Sequence, residues 1–259
     1  MSASLQFDGL DLARVEEIGL NALQTQRQLF YDGWLLRVSP GKAKRARSVN
    51  AHFGSTLPLP QKIAHCEKLF HERGLPTLFR ITPFVKPAHL ETELEARGYV
   101  SFEPTLVQLA PLDHPPEAPQ VPDVDMVTPT AAAFAEAAGV IQGTTAEQRA
   151  AYLERIIQSP LAMRMVVAMS DGKPVGTGTV MLDGGIAGVF TMGTMPEVRG
   201  RGIASAILAD MLRWAWERSA THAYLQVSAG NTSAISVYRK FGFADAYTYH
   251  YRGLPGECH

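Results

Sequence analysis

The chain has 259 residues, room for one large or two small domains, and its 46% hydrophobic and 19% charged residues are those of an ordinary globular protein. A formal net charge of −1 excludes a global pull toward nucleic acid or anionic membrane, and no apolar run nears the roughly 20 residues of a bilayer span. Its two cysteines, Cys66 and Cys258, exclude a disulfide framework and a cysteine zinc site, and with a start that lacks the secretory pattern they predict a reducing, cytoplasmic setting.

In chain order, residues 10–30 read as a helix, and 34–38 and 48–53 as strands around the turn Ser39-Pro40-Gly41. A helix over 59–73 is stopped by Gly74 and followed by a strand over 77–84. A helix over 87–97 is closed by Gly98 and followed by a strand over 104–109. The stretch from Ala110 to Asp125 holds five prolines and no glycine, so it reads as a stiff extended connection rather than helix or central strand. The domain boundary is placed there, giving domains over 1–110 and 124–259 with a linker over 111–123. Beyond it, 130–139 and 145–158 read as helices, and 163–169, 175–182 and 187–195 as strands, the first two joined by the turn Asp171-Gly172. Ile203, Ile207, Met211 and Ala215 recur every four residues and mark one face of a helix. A strand over 222–228, a helix over 233–241 ended by Gly242 and a strand over 247–251 complete the chain.

The two halves end alike. T-L-F-R-I-T-P-F, a helix, A-R-G-Y-V and a strand parallel A-Y-L-Q-V-S-A-G, a helix, K-F-G-F-A and a strand. This order reads as a tandem repeat of one α/β unit, with Gly98 and Gly242 as helix C-caps.

The most informative stretch is M-P-E-V-R-G-R-G-I-A-S, from Met195 to Ser205. Two glycines directly before an amphipathic helix let consecutive backbone N–H groups converge on an anion, and the helix start adds partial positive charge. Arg199 and Arg201 offer formal charge and forked donors. A phosphate-bearing ligand is expected here.

These residues carry a resemblance. Arg199-Gly200-Arg201-Gly202-Ile203-Ala204, set between a strand and a helix, matches Arg/Gln-x-x-Gly-x-Gly/Ala. Downstream, L-Q-V-S-A-G-N-T-S-A-I-S-V-Y-R-K-F-G-F matches a strand, Asn, then Ala-x-x-x-Tyr-x-x-x-Gly-Phe. Residues 128–252 thereby resemble the GNAT superfamily of N-acetyltransferases, and the first half resembles the N-terminal module of its two-domain members, in which the phosphate loop is lost. The resemblance implies an α/β (α+β) tandem GNAT-like fold, with a mixed central sheet flanked by helices in each half. It implies acetyl-CoA as co-substrate, an amine of a small molecule or protein as acceptor, and no metal.

It also implies roles. The main chain of Met192, Gly193 and Thr194 would bind the pantetheine arm as an added strand and polarise the thioester carbonyl. Gly200, Arg201, Gly202, Ile203, Ala204 and Ser205, with Arg199, would hold the pyrophosphate. Asn231 would anchor the pantetheine or the strand end, or serve as a helix N-cap, or both. Tyr238 would protonate the departing thiolate, a role suited to a phenol with an ordinary pKa of about 10, or else pack with Ala234 and Phe241.

One position departs from the pattern. Five residues before Asn231, where many relatives carry a glutamate base, stands Gln226. Deprotonation then falls to a water chain, to Glu136, Asp183 or Glu257, or to an amine already neutral. The missing carboxylate also keeps open a non-catalytic acyl-CoA-binding module, against which Tyr238 argues. A dinucleotide oxidoreductase is set aside, because G-x-G-x-x-G lacks its third glycine.

Among weaker signals, K-A-K-R-A-R over residues 42–47 reads either as a solvated loop or as a patch for an acidic substrate or the coenzyme 3′-phosphate. The histidines lack metal-ligand spacing, and Trp34, Trp214 and Trp216 are expected in or near the core. The first half is expected to shape the acceptor cleft or brace the active half. Acceptor identity and oligomeric state are left open.

Overall fold

The computed structural model describes residues 10–25, 27–39 and 43–258. In chain order the elements are α1 (Leu12–Ala22), β1 (Gln28–Tyr31), β2 (Trp34–Arg37), β3 (Val49–Asn50), α2 (Leu59–His71), β4 (Phe79–Ile81), α3 (Leu90–Ala96), β5 (Val100–Pro111) and β6 (Asp125–Val127). They continue as α4 (Ala131–Gln142), α5 (Ala146–Gln158), β7 (Ala162–Ser170), β8 (Lys173–Asp183), β9 (Ile186–Thr194), α6 (Ile203–Trp216), β10 (His222–Ser228), α7 (Thr232–Arg239) and β11 (Ala244–Gly253). By packing they form two compact units. One joins residues 10–22 to Val107–Ala246, and the other joins Leu23–Leu106 to residues 247–258. α1 thus belongs with the second half of the chain, and the end of β11 with the first.

In the smaller unit, β1, β2, β3, β4 and the end of β11 lie side by side, with β3 and β4 parallel and the other pairs antiparallel. Trp34, Leu36, Val49, Phe79 and Ile81 point from one face into a core closed by Ile63, Phe70, Leu90 and Leu94 of α2 and α3. Alternation along short strands puts these side chains on one side.

Two expectations change in this unit. The helix expected over 10–30 ends at Ala22, because Gln28–Tyr31 pairs with Trp34–Arg37 as a hairpin. Asp32 and Gly33 form its two-residue turn with φ of 43° and 82°, the left-handed pair that suits the twist of a hairpin. Asp32 accepts from the N–H groups of Thr56 and Leu57, and buried Lys62 donates to its carbonyl at 2.6 Å. In the described part of the basic run, Lys44 is not simply solvated: within a 3-10 turn, it pairs with Glu103 at 2.7 Å and is only 12% exposed. Pro40, Gly41 and Lys42 lie outside the described residues.

In the larger unit the order is β6, β7, β8, β9, β10 and the end of β5. β7, β8 and β9 are antiparallel neighbours, and β9 and β10 are parallel. α6 covers one face so closely that a Cβ at Gly178 would sit 2.6 Å from Ile207 and 2.8 Å from Met211. On the opposite face Ala22 of α1, Phe134 of α4 and Ile156 of α5 pack with Val167 and Met181. Between Pro111 and Asp125 the proline-rich stretch forms neither helix nor strand, and it lies along α6: Arg213 donates to Pro116 O at 3.1 Å and Arg201 to Pro122 O at 3.4 Å. β6, which was not anticipated, follows it. Trp34 is fully buried, Trp214 is stacked under Arg218, and Trp216 departs from expectation at 38% exposure.

In each unit a glycine that ends a helix is followed by an inward-packed aromatic. Gly98 and Gly242 have φ of 83° and 80°, and the next residues, Tyr99 and Phe243, return their N–H groups to Leu94 O and Tyr238 O. This is the six-to-one bond of a glycine C-cap with its aromatic packed inward.

Candidate active site

The site is built where β9 and β10 part. They pair in parallel from His222↔Ile186 through Leu225↔Val189 and no further, although the strands run on to Ser228 and Thr194. The cause lies on the other edge of β9. There the register with β8 passes from Thr179↔Phe190 to Thr177↔Gly193 across a bulge, and Thr191 within it has φ of 55°. A bulge bends its strand and strengthens the local twist. Beyond it, Met195 N–H bonds to Val175 O, so alternation in the ladder turns the N–H of Thr194 to the opposite edge, facing away from β8. Gly193 is small for a reason: a Cβ there would meet Ile141 of α4 at 2.8 Å.

From the carboxyl end of β9 the chain makes a 3-10 turn, Pro196–Val198, and then enters α6. Gly200 and Gly202 have φ of 79° and 85°, the left-handed region that a side chain resists. Nothing lies within 4 Å of a Cβ built on Gly200. Gly202 is the N-cap of α6 and supplies no side-chain bond, whereas α4, α5 and α7 are capped by the side chains of Thr130, Thr145 and Asn231. The first intrahelical donor of α6 is Ala206 N, so the N–H groups of Ile203, Ala204 and Ser205 have no partner within the helix. No acidic side chain occupies this first turn. An uncapped helix start with uncompensated donors fits an anionic group. Both arginines are exposed, and only Arg201 is tethered, through Pro122 O.

β10 ends beside the same opening and leads into α7. Asn231 is the N-cap of α7: its Oδ1 accepts from Ala234 N at 3.2 Å and from Ser233 Oγ at 3.1 Å. That leaves its amide nitrogen for any ligand. Tyr238 is buried on α7 with its ring edge-on to Phe243, and burial pushes its phenol up to about 12. Packing and a firmly held proton therefore coexist at this residue.

Gln226 sits just past the last β9–β10 pair, on the face covered by α1, where a Cβ on Gly19 would come within 3.2 Å of its side chain. Of the expected proton acceptors, Asp183 accepts from Asn21 at 2.9 Å at the far end of β9, next to Ile186. Glu136 is paired with Arg149 at 3.2 Å, and Glu257, in the smaller unit, accepts from Thr77 N at 3.3 Å. The sequence reading missed Glu16, a carboxylate only 2% exposed one turn before Gly19, and it missed the threonines around the bulge. Nothing in I-A-G-V-F-T-M-G-T marks Thr191 as left-handed.

Among the described residues, no group of histidine, cysteine and acidic side chains could hold a metal ion, and no helix is long and apolar enough to cross a membrane.

Residues 133–243 match the family described as acetyltransferase (GNAT) family. Over 246 residues, 93% of this chain and 98% of the relative, it is 23% identical to a Bacillus subtilis (strain 168) protein described as uncharacterized N-acetyltransferase YobR. Among solved structures, a GCN5-related N-acetyltransferase from Kribbella flavida is similar with a TM-score of 0.70 at 20% identity, covering 94% of this chain and 95% of that one. A tandem GNAT protein from the clavulanic acid biosynthesis pathway follows at 0.62 and 16% identity, covering 79% of this chain and 74% of its own. These structures share the mixed α/β fold.

Proposed function

We propose that the protein is an N-acetyltransferase that moves the acetyl group of acetyl-CoA to a primary amine of a small molecule or protein. One observation carries the reading: the uncapped start of α6, with left-handed Gly200 and Gly202, opens beside a strand edge that its parallel neighbour has released. Diphosphate oxygens suit the N–H groups of Gly200 to Ser205, with Arg199 and Arg201 adding charge; Arg201 would exchange Pro122 O for the anion. A pantetheine arm, itself a chain of amides, suits the freed edge of Met192, Gly193 and Thr194, and the Asn231 amide nitrogen is a further donor at its side.

The chemistry is direct transfer. The amine nitrogen attacks the thioester carbonyl carbon, a main-chain N–H of β9 stabilises the oxyanion, and the C–S bond breaks as the amide forms. Tyr238 gives its proton to the departing sulfur, and the proton lost from nitrogen passes to water. With Gln226 in place of a carboxylate, no side chain is assigned as base, so the amine enters neutral. Residues 1–110 are read as a degenerate copy of the catalytic half over 124–259, a reading supported by the matching corners at Gly98 and Gly242 and by the lack of a phosphate loop. The lone cysteines support a cytoplasmic setting.

Gln226 also favours a second reading, an acyl-CoA-binding module without turnover. The test is thiol release from acetyl-CoA by the full chain across a panel of amines. Amine-dependent release supports the transferase. Coenzyme binding without release from any amine supports the module.

A further inference from the structure

Four hydroxyls meet at the bulge of β9. Tyr152, on α5, places its hydroxyl 3.1 Å from Thr191 Oγ1 and 3.3 Å from Thr179 Oγ1. Thr177 donates from Oγ1 to Thr191 O at 3.1 Å. Thr177 and Thr179 are fully buried on β8, among side chains where valine would fill the same volume. Buried hydroxyls are costly without partners, and here Thr177 bonds Thr191 directly while Thr179 reaches it through the Tyr152 hydroxyl. That residue, Thr191, is β-branched and has φ of 55°, a conformation such side chains rarely adopt. It persists only where its surroundings over-determine it. Tyr152 is itself held, with its ring against Phe134 and the Arg155 guanidinium 4.7 Å from the ring centre.

We propose that Tyr152 is a positioning residue for the coenzyme: by bridging Thr191 and Thr179 it holds the bulge that turns Met192 to Thr194 toward the opening beside β10. This rests on the acetyl-CoA reading above. Without the bridge, Thr191 relaxes toward an ordinary strand conformation, β9 straightens, and the donors meant for the pantetheine arm are misaimed. The contact runs through the protein alone, so Tyr152 needs no contact with the coenzyme.

The test is a cycle of Tyr152→Phe, Thr191→Gly and the double variant in the full chain, with acetyl-CoA affinity read by calorimetry. Tyr152→Phe keeps the ring and should weaken binding about tenfold, as one lost hydrogen bond allows. Glycine adopts a left-handed φ without help, so Thr191→Gly should bind within about threefold of the unaltered chain. The double variant should bind like Thr191→Gly, which is the rescue that a mere packing defect would not permit. Affinity in Tyr152→Phe equal to the unaltered chain, or its loss persisting undiminished in the double variant, overturns the proposal. If the unaltered chain takes up no acetyl-CoA, the transferase reading fails, and the clamp is then read from amide NMR of the free protein. Shifts at Thr191 to Thr194 in Tyr152→Phe support it, and unchanged signals there overturn it.

Discussion

At Tyr238 two demands meet in one side chain. The ring is buried against Phe243, and the same burial holds the phenol proton up to about 12. A donor to a departing thiolate has to be protonated when the C–S bond breaks, and at neutral pH this one is. Tyr238→Phe keeps the packing and removes the proton, so kcat should fall by about 10²-fold or more while acetyl-CoA affinity changes little. Steady-state kinetics beside calorimetry check this, and equal losses in both would make the residue one of packing or binding. The sign of the pH effect follows from the same shift. A raised phenol pKa keeps the acid form through the alkaline range and loses it only as pH rises through about 12. The kcat profile should therefore rise as the acceptor amine deprotonates and stay level to at least about pH 10, the ordinary tyrosine value. A descending limb below that, absent from Tyr238→Phe, would contradict the raised pKa.

Helix α6 is where sequence and structure agree most closely, for a physical reason. Ile203, Ile207, Met211 and Ala215 are all buried at four-residue spacing, and the glycines before them take left-handed angles that a side chain would resist. The partner surface is equally specific. A Cβ on Gly178 would lie 2.6 Å from Ile207 Cγ2, an atom fixed one bond from the helix-borne Cβ. Gly178→Ala should cost about 1–3 kcal/mol by overpacking. Chemical denaturation measures it, and an unchanged midpoint would show that α6 can move off the sheet. Other elements were illegible because their signals are not local. Gln28–Tyr31 lacks the alternation of a half-buried strand and follows a helix without a breaker, yet the Asp32-Gly33 turn and its pairing with β2 override helix propensity. The bulge at Thr191 is met by hydroxyls of α5 and β8, 39 and 14 residues away, beyond any local pattern. The glycine turn before α6 is a contiguous motif and could be read from sequence. The geometry that aims β9 is assembled by the fold and could not.

For the molecule as a whole, the packing of α1 sets what the proposed catalytic half requires. Its Val15, Ile18 and Leu20 are buried, and Ala22 joins the core of Phe134, Ile156 and Met181. Three such side chains at about 1.5–3 kcal/mol each rival the net stability of a domain, about 5–15 kcal/mol. A fragment of residues 124–259 should therefore melt below the full chain and bind acetyl-CoA more weakly, as thermal scans and calorimetry would report. Full affinity and turnover in that fragment would deny the rest of the chain any part in the site. Whether the turn before α6 cradles the diphosphate of a coenzyme thioester is decided by titrating acetyl-CoA into the intact protein in a calorimeter. Saturable one-site binding in the range of about 1 μM to 1 mM, weakened by Gly202→Val, is the predicted result. No heat of binding at millimolar acetyl-CoA would contradict it.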